Sequence, residues 1–261
     1  MSSLRVFFVG GLISFRALFG WLNPWVYIPS MLVAPVFQIL LFVYIGRSAQ
    51  LQSDAFYVIG NGLQYAAIPC LFAMANTIAG ERFQQTLGYI LITPAQRLPL
   101  FLGRALPVAG NGFFVSLFAL VVGGAIVGIH VPAAAYAPIV LVTAVCAFSC
   151  TGLGLINAAL GLVVRETAVA SNILFGALLI VSGANVPVHD LPGALQAISS
   201  IVPLTHGIEA ARHLAAGAPF STVGRLVGTE ALIGFVYAAL GYGLLRGTET
   251  VSRRNATLER A

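Results

Sequence analysis

The chain has no lysine and little charge of any kind: Arg, Asp and Glu together make up 8% of its 261 residues, against about 25% in ordinary globular proteins. So few charges cannot cover a water-facing surface, which excludes a soluble globular domain. The missing lysine also excludes an ATP-binding loop of the G-x-x-x-x-G-K-[ST] kind. Neither a G-x-S-x-G elbow nor an H-E-x-x-H pair occurs, so the familiar hydrolase nucleophile and zinc-protease helix are absent too. Ser182-Gly183 invites comparison with the G-x-S-G pattern of intramembrane serine proteases, but residue 180 is Ile where that pattern has glycine. Only three cysteines are present, Cys70, Cys146 and Cys150. All fall in apolar runs at no zinc-ligand spacing, and they read as small buried hydrophobes.

What the chain does have is apolar sequence. Hydrophobic residues reach 59% and the mean hydropathy is +0.94. A membrane span needs about 20 mainly apolar residues, and the gaps between charges supply them. No charged residue lies between Arg16 and Arg47, Asp54 and Glu81, or Glu166 and Asp190. The stretch from Arg104 to Arg165 is long enough for two spans, with Gly128 to Pro132 as the turn between them. A last run carries one acid, Glu230. The expectation is an all-α membrane protein with six transmembrane helices, at about 25–45, 56–78, 106–126, 137–163, 167–184 and 226–245, in a single domain covering 1–261. With the N-terminus inside, only Arg47, Arg212 and Arg225 of the 13 arginines fall outside. That bias fits the positive-inside rule and leaves both termini cytoplasmic at the plasma (inner) membrane. The net charge of +5 therefore calls for no nucleic acid.

Between the spans lie three informative segments. Residues 4–20 carry Arg5 and Arg16 on one helical face, which suits an interfacial helix. Ala79 to Arg104 gathers charges between two apolar runs. Within it, Arg82 to Ile92 is too short to span, and Thr93-Pro94 ends it because the residue before proline leaves helical geometry. Phe83, Leu87, Tyr89, Ile90 and Leu91 make it too apolar for a plain loop, so it offers a handle to a soluble partner. Residues 188–220 are broken by Pro192, Pro203 and Pro219 into pieces that read as re-entrant or outer helices. His206, Glu209 and His213 share a face there, but they lack a fourth ligand and stand beside Arg212, so no metal is expected. Among polar residues within spans, Asn61 and Gln64 sit at i,i+3, while Asn111 and Asn157 suit interhelical hydrogen bonds. Glu230 is expected near the interface, paired with Arg225.

Two motifs resemble those of the permease subunit of a type-2 ATP-binding-cassette exporter, a family serving drug, lipid and lipo-oligosaccharide export. The first is Glu81-Arg82, Thr86-Leu87, Leu91-Ile-Thr-Pro94, Arg97 and Gly103-Arg104. The second is Ser182-Gly183 to Pro187, Leu191-Pro192 and Pro203-Leu-Thr205 with Glu209 and Arg212. Gln85 and Gly88 depart from the first motif, at positions where the family commonly has glycine and an acid.

The resemblance implies a coupling helix docked on a separate ATPase through Glu81, Arg82, Gln85, Thr86, Leu87, Thr93 and Pro94. ATP and Mg belong to that partner; the chain itself needs no cofactor and does no catalysis. A second permease, identical or paralogous, faces the first within membrane lipid. Substrate passes between the second and fifth spans, past Asn61, Gln64, Tyr65, Phe72, Asn172 and Phe175. That nearly uncharged lining favours a hydrophobic or amphipathic cargo. Ser182, Pro187, Pro203, Thr205, Glu209 and Arg212 belong to the outer gate. The rival expectation is a self-sufficient proton-coupled carrier using Glu230. It is disfavoured by the single intramembrane carboxylate and by two halves that show no obvious repeat.

Overall fold

A computed structural model describes residues 24–83, 97–161 and 167–255, with side chains at 25–76, 103–161 and 167–247. The expected interfacial helix 4–20, most of the coupling segment (Gln85, Thr86, Leu87, Thr93 and Pro94 included) and the Arg165-Glu166 turn lie outside the described residues. Glu81 and Arg82 are described as backbone only. Among the described residues the chain is helical and holds no strand.

The first crossing begins with α1 (Pro24–Tyr27) and continues as α2 (Ala34–Ala49) through a π-helical turn, Ile28–Val33. Two prolines explain the wide turn. Neither Pro29 nor Pro35 can donate to the helical ladder, and the ring of each crowds the carbonyl four residues back. The Ala34 N–H reaches five residues back to the carbonyl of Pro29, the bond that defines a π turn. The second crossing is divided into α3 (Asp54–Gln64) and α4 (Ala67–Phe83). Pro69 is the reason: it has no N–H for the carbonyl of Tyr65, so the helix breaks at Tyr65-Ala66 where a continuous span was expected. Ser53 caps α3, its Oγ accepting from the Phe56 N–H at 3.3 Å. Arg47 closes the α2–α3 hairpin with a forked pair to Asp54, the shortest contact being 2.7 Å.

Next come α5 (Arg97–Val127) and α6 (Tyr136–Leu160). Gly128, at φ +81°, ends α5 in the left-handed conformation that glycine adopts without strain. Then α7 (Thr167–Val181) leads through an irregular loop to α8 (Gly193–Ser199), α9 (Thr205–Ala215) and α10 (Phe220–Asn255).

Among the described residues, five helical stretches are long and apolar enough to cross a membrane: Trp25–Ala49, Asp54–Asn76, Gly103–Val127, Ala133–Leu160 and Phe220–Gly247. The expected fifth span, 167–184, corresponds to the 15-residue α7. At 1.5 Å per residue it reaches about 22 Å, short of a hydrocarbon core of about 30 Å.

Helix α6 is the hub, packed lengthwise on α10 and α4. Small residues allow the close approach: a Cβ on Gly152 would lie 2.7 Å from the Gly234 carbonyl, and one on Gly154 2.2 Å from that of Cys70. Between lipid-exposed helices, dispersion across such seams replaces the hydrophobic drive that water gives soluble bundles. Cys70, Cys146 and Cys150 sit in this core, fully buried and unpaired.

Candidate functional site

Polar side chains concentrate at the end of the bundle where α2 meets α3 and where α7 gives way to α8 and α9. Helix α9 is amphipathic, burying Thr205, Gly207, Ile208, Ala210, Ala211 and Leu214 and leaving Glu209 and His213 exposed, 3.9 Å apart. Its last turn carries Arg212, which turns inward. Nη1 donates to the carbonyl of Gly183 at 2.9 Å, and Nη2 to those of Ala184 and Phe56 at 3.0 Å each. The guanidinium also stacks 3.4 Å from the centre of the Phe56 ring. Burial draws Arg212 down from 12.5 to about 9, with Glu209 opposing the shift, so it stays charged at neutral pH. One cation thus fastens α9 to the loop after α7 and to the first turn of α3.

Gly183 is part of this arrangement. At φ +79° it makes a turn that strains any residue with a Cβ, and it aims two successive carbonyls at Arg212. Gly60 on α3 completes the fit, since a Cβ there would lie 2.2 Å from the Ala184 carbonyl and 2.7 Å from Arg212 Nη2.

Deeper along α3, Asn61 donates to Asn185 Oδ1 at 2.8 Å and accepts from Gln38 Nε2 at 3.0 Å. One turn on, Gln64 Oε1 accepts from Ser182 Oγ at 3.0 Å. Both amides are fully buried. They knit α2, α3 and the loop after α7. Tyr65 is also buried and meets Phe175 edge-on at 6.4 Å between ring centres, while Phe72 is partly buried against the same core. Of the six residues expected along the pathway, Asn172 alone is exposed, and its amide folds back to the Ala168 carbonyl at 2.9 Å.

Glu230 corrects the sequence reading most sharply. It does not pair with Arg225, which is exposed, and it does not sit at an open interface. It is fully buried. Its Oε1 accepts from the Leu204 N–H at 2.8 Å and from Ser149 Oγ, and its Oε2 from the Gly207 N–H at 3.2 Å. Leu204 and Gly207 flank the start of α9, so a carboxylate on α10 caps a neighbouring helix. That placement suits the partial positive charge of a helix N-terminus. Leu204 holds φ +79°, a left-handed backbone that costs a branched residue on the order of 1–3 kcal/mol. The bond to Glu230 helps to hold it there.

The remaining outer-gate candidates lie close by. Pro203 and Thr205 are buried beside Leu204, and Pro187 is partly buried. His206 Nε2 points to the Ser200 carbonyl at 3.1 Å, away from Glu209 and His213. Sequence reasoning did not pick out Ser149 or Gly207, and it placed Asn185 and Leu204 within the second motif without giving either a role. Ser149 is one of several small residues in an apolar run and Gly207 one glycine beside His206 and Glu209, and nothing local marks either as a partner of Glu230.

Near the other end of the bundle the polar contacts are simpler. Asn157 Nδ2 donates to the Leu71 carbonyl at 3.2 Å and to Ser171 Oγ at 2.7 Å, tying α6 to α4 and α7. Asn111 accepts from the Tyr27 hydroxyl at 2.6 Å, tying α5 to α1.

Long apolar helices sealed by small residues and buried amides define a polytopic integral membrane protein. The class is set more narrowly by comparison with known families: the family model described as ABC-2 type transporter matches residues 12–215, and the chain belongs to that family. It is also similar to nodulation protein J of Rhizobium meliloti (strain 1021), with 39% identity over 69 residues. That match covers 26% of this chain and 26% of the relative.

Proposed function

We propose that this chain is the membrane-spanning half-transporter of an ATP-driven exporter, working with a separate ATP-binding-cassette ATPase and a second permease. The observation that carries the reading is the family match over 12–215, which spans both the α4–α5 connection and the α7–α9 region. In this reading Glu81 to Arg104 faces the cytoplasm and takes the ATPase's push. The α8–α9 end faces outward and forms the gate, and both termini lie on the cytoplasmic side of the inner membrane. The cargo is hydrophobic or amphipathic, because the chain has few charges to offer a polar solute. ATP and Mg bind the partner, and this subunit supplies motion instead of chemistry.

The proton-coupled alternative needed Glu230 as a carrier. Three donors hold that carboxylate in a fully buried position, which favours a structural role for it over that of a carrier.

The test is to purify the chain with an ATP-binding-cassette ATPase encoded beside it, reconstitute both in liposomes, and screen amphipathic cargoes for stimulated ATP hydrolysis. A cysteine placed at Gln85 should react with an impermeant maleimide only from the cytoplasmic side. Labelling from outside, or an ATPase that neither binds nor responds, would sink the proposal.

A further inference from the structure

Helix α9 is held at both ends by ionisable side chains of opposite sign, and neither is neutralised by the other. At its C-terminal end Arg212 takes three backbone carbonyls. At its N-terminal end Glu230 takes two backbone N–H groups and a hydroxyl. The anchors lead to different places. Arg212 ties α9 to α3 and the loop after α7, whereas Glu230 and Ser149 tie it to α10 and α6. Gly207 makes the second anchor possible, since a Cβ there would lie 2.1 Å from Cys146 Sγ on α6. The strained Leu204 backbone sits at the same joint and gives it a reason to spring when released.

We propose that Glu230 is a positioning residue of the outer gate: by capping α9 from α10, it makes the outer helix follow the last span, so that rearrangement of the spans opens and closes the gate. The proposal rests on the export reading for the words outer and gate. The capping itself rests on geometry alone. Glu230 touches no cargo in this account; it acts through Leu204 and Gly207.

Substitution by glutamine keeps the size and removes one acceptor oxygen. Whichever way the amide turns, its NH2 then faces the Leu204 N–H or the Gly207 N–H. One donor of the first turn of α9 therefore loses its partner. Aspartate keeps both oxygens one methylene further back.

The experiment reads amide hydrogen exchange on the full chain in lipid nanodiscs, for the wild type and for Glu230→Gln, Glu230→Asp and Arg225→Gln. Export per ATP hydrolysed is then measured in the complex with the ATPase. In Glu230→Gln, exchange at 204–208 should rise about tenfold or more, as expected for losing one charge-assisted bond, while α4 and the middle of α6 stay protected. Aspartate should restore part of the protection. Arg225→Gln should change nothing at 204–208. In the complex, Glu230→Gln should go on hydrolysing ATP while export per ATP falls about tenfold, within the usual range of coupling between sites.

Unchanged protection at 204–208 would overturn the proposal. So would a uniform loss of protection across α4, α6 and α9, which marks a folding fault. Lost protection with undiminished export per ATP would overturn the gating role. Exchange needs no ATPase, so a chain that binds none would refute the export reading while protection at 204–208 still decides the cap.

Discussion

Replacing Arg212 by methionine removes a cation of similar length and leaves the aliphatic stem to pack. The loss can be worked from the contacts. Of the three carbonyls it holds, that of Phe56 belongs to the first turn of α3 and keeps a place in the helical ladder. Those of Gly183 and Ala184 lie in the irregular loop after α7 and have no ladder to return to. Two charge-assisted hydrogen bonds at about 1.5 kcal/mol each and about 1 kcal/mol for the guanidinium on the Phe56 ring give a loss of about 4 kcal/mol. That is close to a thousandfold in the folding equilibrium. Lysine keeps the charge, but a compact ammonium cannot span carbonyls on two elements and stack as well. It should recover about 1 to 1.5 kcal/mol, the worth of one charge-assisted bond. The assay is reversible unfolding in mixed micelles of rising SDS content, followed by far-ultraviolet circular dichroism. Arg212→Lys within about 0.5 kcal/mol of wild type, the scatter of surface substitutions, would show that charge alone suffices and that the fork geometry does not matter.

Gly207→Ala should cost about 1–3 kcal/mol by overpacking against Cys146, and Cys146→Ala in the same chain should return most of it in the same unfolding assay. Cys70, Cys146 and Cys150 should resist maleimide in the folded, detergent-solubilised chain and all react after denaturation, because none exposes its sulfur. Asn157→Ala should lose only about 0.6–1.7 kcal/mol, the measured range for hydrogen bonds between helices in lipid. The contrast with Arg212 separates a neutral amide from a cation holding loop carbonyls.

Five of the six expected spans were legible because charge is excluded from hydrocarbon whatever the packing, so gaps between arginines and acids mark them without any knowledge of neighbours. Their internal form was less so. Pro69 announces the break at Tyr65-Ala66 as plainly as Pro29 and Pro35 announce the π turn, but a break within a span leaves no trace in a hydropathy count. The expected pairing of Glu230 with Arg225 failed on geometry that the sequence does contain. Five residues along a helix amount to about 500°, which places the two side chains about 140° apart, on different faces. The pairings of Asn61 with Asn185, Gln64 with Ser182 and Ser149 with Glu230 span 124, 118 and 81 residues. Alternation and spacing say that such a side chain needs a partner, and only the fold says which.

Amides and hydroxyls join the helices along their length, whereas charged groups lock the α8–α9 end, and this difference bears on how the bundle can move. A neutral interhelical bond in lipid is weak enough to slide and re-form, and seams of small residues such as Gly152 against Gly234 tolerate sliding because they carry no side chain to catch. Helices joined that way can shift as rigid bodies. The α9 joints cannot slide: a guanidinium ringed by carbonyls and a carboxylate ringed by N–H groups each lose most of their stabilisation on moving by the length of one hydrogen bond. Motion of α10 relative to α3 must therefore carry α9 with one neighbour and break it from the other. The Glu230 joint is fully buried among α6, α9 and α10, whereas two of the three carbonyls that hold Arg212 belong to the irregular loop after α7. The Arg212 joint is accordingly the one that yields to a moving last span, and α9 follows α10 through Glu230.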